Sequence, residues 1–129
     1  MTDSNSYLRF FKDRRILIVE DEYFLADETR TKLQQLGAVV VGPTGDVAHA
    51  LELIGDEPVD AAILDVYLDG EMVFPVAEKL QQLGIPYVFA TGYDPSIIPE
   101  QFTGFVLSAK PIALDHIARA LFGPPVSHD

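Results

Sequence analysis

Five short apolar runs punctuate this chain: Ile16–Val19, Ala38–Val41, Ala61–Leu64, Tyr87–Ala90 and Phe105–Leu107. They are largely β-branched or aromatic, and none alternates apolar with polar residues as a strand with one wet face does. Runs of this kind suit parallel strands covered on both faces, and parallel strands need crossover connections. The intervening segments supply them. Phe24, Leu25, Thr29, Leu33 and Leu36 form an apolar stripe at helical spacing, and Val47–Ile54 predicts a shorter helix. Val73, Val76, Ala77, Leu80 and Leu83 form a third stripe. Ala113–Phe122 forms a last helix, starting near Pro111, with Asp115 in its first turn and Gly123-Pro124-Pro125 ending it. Alternating strand and helix predicts an α/β fold, an open doubly wound five-stranded parallel sheet with right-handed crossovers.

One hexapeptide occurs twice. KLQQLG spans Lys32–Gly37 and again Lys79–Gly84, each time just before an apolar run. In both places the glycine suits the left-handed residue that follows a helix. The repeat therefore marks two helix-to-strand junctions of one kind.

In open α/β sheets a ligand site lies beyond the carboxyl ends of the strands. The first strand ends in Glu20-Asp21 within ILIVEDE, the third at Asp65, the fourth at Thr91 and the fifth at Lys110-Pro111. The second ends in Val41-Gly42-Pro43 and offers no functional group, which is tolerable at the side of a sheet. Two carboxylates about 4–5 Å apart repel by roughly 3–4 kcal/mol at an effective dielectric near 20, a cost that a cation between them removes. Carboxylates with little nitrogen or sulfur nearby suit a hard ion such as Mg²⁺. An aspartate is also a nucleophile that accepts a phosphoryl group as an acyl phosphate, a transfer that needs mainly positioning and charge neutralisation. Mg²⁺ and Lys110 would supply positive charge there, and Thr91 a hydrogen-bond donor.

Composition narrows the function. The 129 residues suit one domain, and no apolar run approaches the length of a membrane span. The opening MTDSNSYLRFFKDRR lacks a long apolar core, so no signal peptide is expected, and the absence of cysteine fits a cytoplasmic protein. A net charge of −11 argues against a nucleic-acid surface, which draws its affinity from Lys and Arg on phosphates. No Lys or Arg lies between Lys32 and Lys79, and Lys110 stands alone between Lys79 and Arg119.

From about Arg14 to Phe122 the chain resembles the receiver domains of two-component response regulators. The likeness rests on the acid pair after the first strand, LDVYLDG around Asp65, Thr91 after the fourth strand and Lys110-Pro111 after the fifth. It implies the strand order 2-1-3-4-5 of flavodoxin-like receivers. It also implies that Asp65 is the phosphoacceptor, that Asp21 and Asp65 bind Mg²⁺ directly, Glu20 through water, and that the Tyr67 backbone carbonyl completes the protein ligands. Thr91 and Lys110 would contact the phosphoryl group. The implied phosphodonor is a sensor histidine kinase or a histidine phosphotransferase, and the implied output a change in affinity for a downstream protein, as a monomer or a phosphorylation-dependent dimer, without nucleic acid or membrane. The expected organisation is a lead segment 1–13, a receiver 14–122 and a tail 123–129, with no output domain in the seven residues after Phe122.

The chain departs from the common receiver pattern in two places. YVFATGY (Tyr87–Tyr93) is similar to the FATGUY motif of a receiver subgroup, often stand-alone and associated with bacterial stress signalling. Leu107 stands three before Lys110, where most receivers carry the aromatic switch residue. Pro95, Pro99 and Gly104 in YDPSIIPEQFTG remove backbone donors and disfavour a regular fourth helix, leaving at most one short turn near Ser96–Gln101. Thr91, Gly92, Tyr93 and Leu107 are therefore the switch candidates, the loop ordering as Thr91 is drawn to a phosphoryl group.

Two other functions remain open. A phosphatase using an aspartyl intermediate, like the haloacid-dehalogenase-like enzymes, would place a second Asp two residues after the nucleophile, where this chain has Tyr67. A pseudo-receiver would bind partners without being phosphorylated. Simpler roles are expected elsewhere. Most of Phe24, Phe74, Phe89 and Phe105 suit a core, and His49, His116 and His128 the surface. Asp69-Gly70 suits a turn and Glu22 a helix start. Tyr67 and Tyr93 suit either a shield for the site or a cover for apolar surface. Gly42-Pro-Thr-Gly45 fits neither nucleotide-binding fingerprint. Tyr7–Phe11 is either a short packed helix or a partner contact.

Overall fold

The computed structural model describes residues 4–90, 95–102, 105–107 and 113–123. A 3-10 helix, Ser4–Phe11, precedes β1 (Arg15–Val19), α1 (Tyr23–Gln35), β2 (Val39–Thr44), α2 (Val47–Asp56) and β3 (Ala61–Asp65). A small hairpin follows, β4 (Tyr67–Leu68) with β5 (Glu71–Met72), and then α3 (Phe74–Gln82) and β6 (Tyr87–Ala90). A 3-10 turn, Pro95–Ile97, leads to β7 (Phe105–Leu107), and α4 (Leu114–Phe122) closes the described chain. The main sheet is parallel in the order β2-β1-β3-β6-β7, with the hairpin as a separate antiparallel pair. Counting only main-sheet strands, this is the 2-1-3-4-5 order expected from the sequence.

Period-two alternation along the strands sorts the core into two layers. Leu17 and Val19 of β1 pack on one face with Val47, Ala50 and Ile54 of α2 and Val76, Ala77 and Leu80 of α3. Ile16 and Ile18 pack on the other with Leu33 of α1 and Ile117, Ala118 and Leu121 of α4. Each fully buried aliphatic side chain contributes about 1.5–3 kcal/mol of transfer free energy. Both faces of β1, β3 and β6 are covered, which is why the apolar runs of these strands are continuous.

The two KLQQLG segments close their helices identically. Gly37 and Gly84 take φ of 86° and 71°. The Gly37 amide donates to Gln34 O (3.0 Å) and Ala38 to Leu33 O (3.0 Å); Gly84 donates to Gln81 O (3.2 Å) and Ile85 to Leu80 O (2.9 Å). Both are Schellman closures, with the apolar residue after glycine packed in the core layer of its helix.

Three expectations are corrected. β2 holds the edge position expected for it but is only partly buried, Val39 being 43% exposed, rather than covered on both faces. It also continues past Val41-Gly42-Pro43. Register slips where Leu17 faces Val41 but Val19 faces Thr44, so three steps on β2 span two on β1 and Thr44 ends the strand, buried. Phe24 is 78% exposed. The inward positions of α1 are Ala26 and Leu33, two turns apart, and at 100° per residue Phe24 lies about 200° round from Ala26, on the opposite face. Leu83 is likewise exposed, because it is the capping residue at which α3 ends.

Among the described residues between β6 and β7 the one helical turn is Pro95–Ile97, in keeping with the prolines there. Phe102 anchors it, stacked on Phe74 with centroids 5.4 Å apart and edge-on to Phe89 at 6.0 Å. Gln81 bridges the same region, donating Nε2–H to Gln101 O (2.9 Å) and accepting from the Tyr87 hydroxyl (2.8 Å). At the opposite end of the chain, Tyr7–Phe11 forms a packed 3-10 helix. Phe11 is completely buried against Phe122, edge-on at 5.2 Å.

Candidate phosphoacceptor and metal site

The end of β1 builds one side of the site. The Glu20 amide donates to Thr44 O (2.8 Å), extending the β1–β2 ladder one residue beyond the strand. The chain then turns into α1, whose N-cap is Glu22; its carboxylate accepts from the Phe24 amide at 3.1 Å. The Glu22 amide in turn donates to Glu20 Oε2 (3.0 Å), drawing that carboxylate back over the turn. Glu22 is thus a cap, and Glu20 and Asp21 are the acids left facing the sheet edge.

The end of β3 builds the other side. Asp65 pairs in register with Ala90 of β6, so it stands on the last rung of the central strands. It is 7% exposed, while Glu20 is half-buried and Asp21 exposed. One carboxylate oxygen from each of Glu20, Asp21 and Asp65 lies within 4.8 Å of the others. Three oxygen donors at that spacing fit a hard divalent cation. Tyr67 follows in β4, 42% exposed, and the Val73 amide donates to Val66 O (2.9 Å), closing the hairpin onto the strand end. Pro75 then occupies the first turn of α3, where its missing N–H costs nothing.

Two neighbours of Asp21 had no signal in sequence reasoning as site residues. The Asp69 amide, in the hairpin turn, donates to Asp21 Oδ2 at 2.8 Å. Gly45 lies so close that a Cβ there would sit 2.8 Å from Asp21 Cα. The Asp-Gly pair in LDVYLDG was legible as a turn, but a backbone donor carries no residue signature. Gly45 belongs to a segment that matches no fingerprint. Thr44, absent from the expected strand end, holds the start of α2 by accepting from the Asp46 amide (3.2 Å), and its Oγ1 lies 2.9 Å from Nδ1 of the exposed His49. A groove of about 520 Å³ runs from Glu20 and Asp21 past Tyr23, Asp27, Arg30 and Pro43. Arg30 is bound there by Asp27 and by Gln34 (3.0 Å).

Thr91, Gly92, Tyr93 and Lys110 lie outside the described residues, as do His128 and the side chains of Phe105 and Leu107. The structure therefore brings together the three acidic site residues expected from the sequence, and His49 and His116 lie exposed as expected. Among the described helices none is long and apolar enough to cross a membrane.

Like charges this close destabilise the metal-free fold. Asp21→Asn removes one of them while its amide oxygen still accepts from the Asp69 N–H. Because Asp21 is exposed and screened, the gain is about 1 kcal/mol, and the metal-free Tm should rise by about 3–6 °C. Thermal unfolding in excess chelator measures this, and an unchanged or lower Tm would rule out net repulsion in the cluster.

No family model matches the chain. It is 42% identical to SdrG from Sphingomonas melonis Fr1, aligning 86% of its own length with 95% of SdrG at a TM-score of 0.73; a BeF3-activated conformation of SdrG aligns at 0.69. A receiver domain protein (CheY-like) from Methanospirillum hungatei JF-1 is 25% identical, with 85% of this chain on 94% of that one and a TM-score of 0.74. The sensory transduction protein LytT of Enterococcus faecalis is 40% identical over 82 residues, 61% of this chain and 34% of LytT. The chain spans about a third of the length of the curated relatives it matches. An acid cluster at the carboxyl edge of a 2-1-3-4-5 sheet, joined to this near-full-length likeness, places the chain in the family of response regulator receiver domains, the phosphoacceptor switches of two-component signalling.

Proposed function

We propose that this chain is a stand-alone receiver that takes a phosphoryl group onto Asp65 from a sensor histidine kinase or histidine phosphotransferase. The observation that carries the reading is the convergence of Glu20 and Asp21 on the buried carboxylate of Asp65 within 4.8 Å. An Asp65 oxygen attacks the phosphorus of a phosphoimidazole. The O–P bond forms as the N–P bond breaks, and the imidazole leaves with the electron pair and takes up a proton from solvent. Water later attacks the same phosphorus and returns the carboxylate and inorganic phosphate. Glu20, Asp21, Asp65 and the Tyr67 carbonyl would hold Mg²⁺, whose charge offsets that of the phosphoryl oxygens. Lys110 pairs with the phosphoryl group and Thr91 donates a hydrogen bond to it.

The YVFATGY segment and the likeness to SdrG support the FATGUY subgroup and a stand-alone role. In this reading Leu107 leaves no aromatic switch, and the report passes through residues 91–104, with Phe102 as their fixed end. The phosphorylated form then changes its affinity for a downstream protein in the cytoplasm.

The test is incubation with acetyl phosphate, with Mg²⁺ or with chelator, followed by intact mass and by amide exchange under beryllofluoride. A gain of one phosphoryl group only with Mg²⁺, and slower exchange across residues 92–104, are expected. No gain under either condition would favour a pseudo-receiver, and rapid turnover of a small phosphomonoester would favour a phosphatase.

A further inference from the structure

We propose that the Asp69-Gly70 turn of the hairpin positions the Asp21 carboxylate for metal binding through the Asp69 backbone amide. The inference rests on the metal-binding reading above. Two neighbours hold Asp21. The Asp69 N–H reaches Oδ2 at 2.8 Å across 48 residues of sequence. Behind it, Gly45 leaves room that no other residue would, since a Cβ would meet Asp21 Cα at 2.8 Å and Cβ at 2.9 Å. With its backbone close against Gly45 and its Oδ2 on the Asp69 N–H, the Asp21 carboxylate is oriented before a cation arrives.

The hairpin is built to hold that donor. Leu68 pairs with Glu71 around a two-residue loop, Asp69-Gly70. Gly70 takes a φ of 93°, a value that other residues rarely adopt, while Asp69 does not share it. Positive φ at the second loop position alone is the pattern of a type II turn, whose first loop position accepts proline well. Leu68, in β4, already has the extended backbone that a following proline demands. Asp69→Pro therefore deletes the donor with little disturbance to the turn, and Asp69→Ala keeps the donor and loses only the side chain.

Isothermal titration with Mg²⁺ on wild type and both variants, beside thermal unfolding, tests the inference. Removal of a group that orients a metal ligand costs on the order of 10–100-fold in affinity. Asp69→Pro should weaken Mg²⁺ binding about tenfold or more while its Tm stays near that of wild type, and Asp69→Ala should bind like wild type. Equal binding by Asp69→Pro and wild type, or equal losses in the proline and alanine variants, would overturn it. A metal-free readout separates this from the reading it rests on. Exchange of the Asp69 amide should be slow in wild type and faster in Asp21→Ala, and equal rates would refute the contact whether or not the protein binds Mg²⁺. A wild type that binds no Mg²⁺ overturns both the metal reading and the purpose assigned to the contact. If Asp69→Pro does not fold, the exchange of the Asp69 amide in wild type and Asp21→Ala decides alone, equal rates overturning the inference.

Discussion

Asp65→Asn is expected to abolish acyl-phosphate formation completely, with no phosphoryl mass gained from acetyl phosphate and Mg²⁺ under conditions that modify the wild type. The substitution changes almost no volume, and Asp65 is 7% exposed at the end of β3, so the strand and its pairing with Ala90 persist. What disappears is the anionic oxygen that attacks phosphorus, and a neutral amide has no comparable nucleophile. Thermal unfolding must show a folded variant for the result to count. Asp21→Asn provides the contrast. It leaves the nucleophile in place and weakens only charge neutralisation, so it should slow phosphorylation without eliminating it at high Mg²⁺. Phosphoryl transfer to Asp65→Asn at any appreciable rate would place the acceptor elsewhere, and the three-acid convergence would then need another explanation.

The contrast between these variants depends on how the site is assembled, and sequence reasoning reached only part of that. Strands buried on both faces leave continuous apolar runs, so β1, β3 and β6 were legible almost to the residue. Acids directly after such runs must stand at the sheet edge, and so Glu20, Asp21 and Asp65 could be grouped before their distances were known. The glycine closures of α1 and α3 were legible because a left-handed residue leaves a residue-type signature. Other features left none. The partial exposure of β2 depends on what does not cover it, and its register slips between Leu17 and Val19 of β1. The exposure of Phe24 depends on which face of α1 turns inward, and that face is chosen by Ala26, too small to stand out beside an aromatic. The Asp69 donor belongs to the main chain, and the Gly45 contact exists only once β2 and β1 are side by side.

The N-terminal residues raise the same issue on a larger scale, and Phe11→Ala should cost roughly 3–5 kcal/mol of stability, the range for truncating a buried phenylalanine. A lead segment that merely preceded the first strand would tolerate the change. Here Phe11 is fully buried in the layer formed by β1, β3, β6, α1 and α4. Its ring meets Phe122 edge-on, and Phe10 lies 6.2 Å from the same ring. The Arg14 guanidinium lies over Phe122 at 5.7 Å and donates to Phe10 O (3.2 Å), tying the 3-10 helix to the start of β1. Truncation leaves a cavity between two elements far apart in sequence, and neither can close it without leaving the sheet. For a domain of this size the Tm should fall by roughly 10–20 °C. Phe10→Ala, at a half-buried position, should cost well under half as much. Urea denaturation of the two variants beside wild type gives both values. The Mg²⁺ response of folded Phe11→Ala should match wild type, because the acid cluster lies at the opposite, carboxyl edge of the sheet. Equal small losses for Phe10→Ala and Phe11→Ala would mean that the N-terminal helix rests on the domain without completing its core.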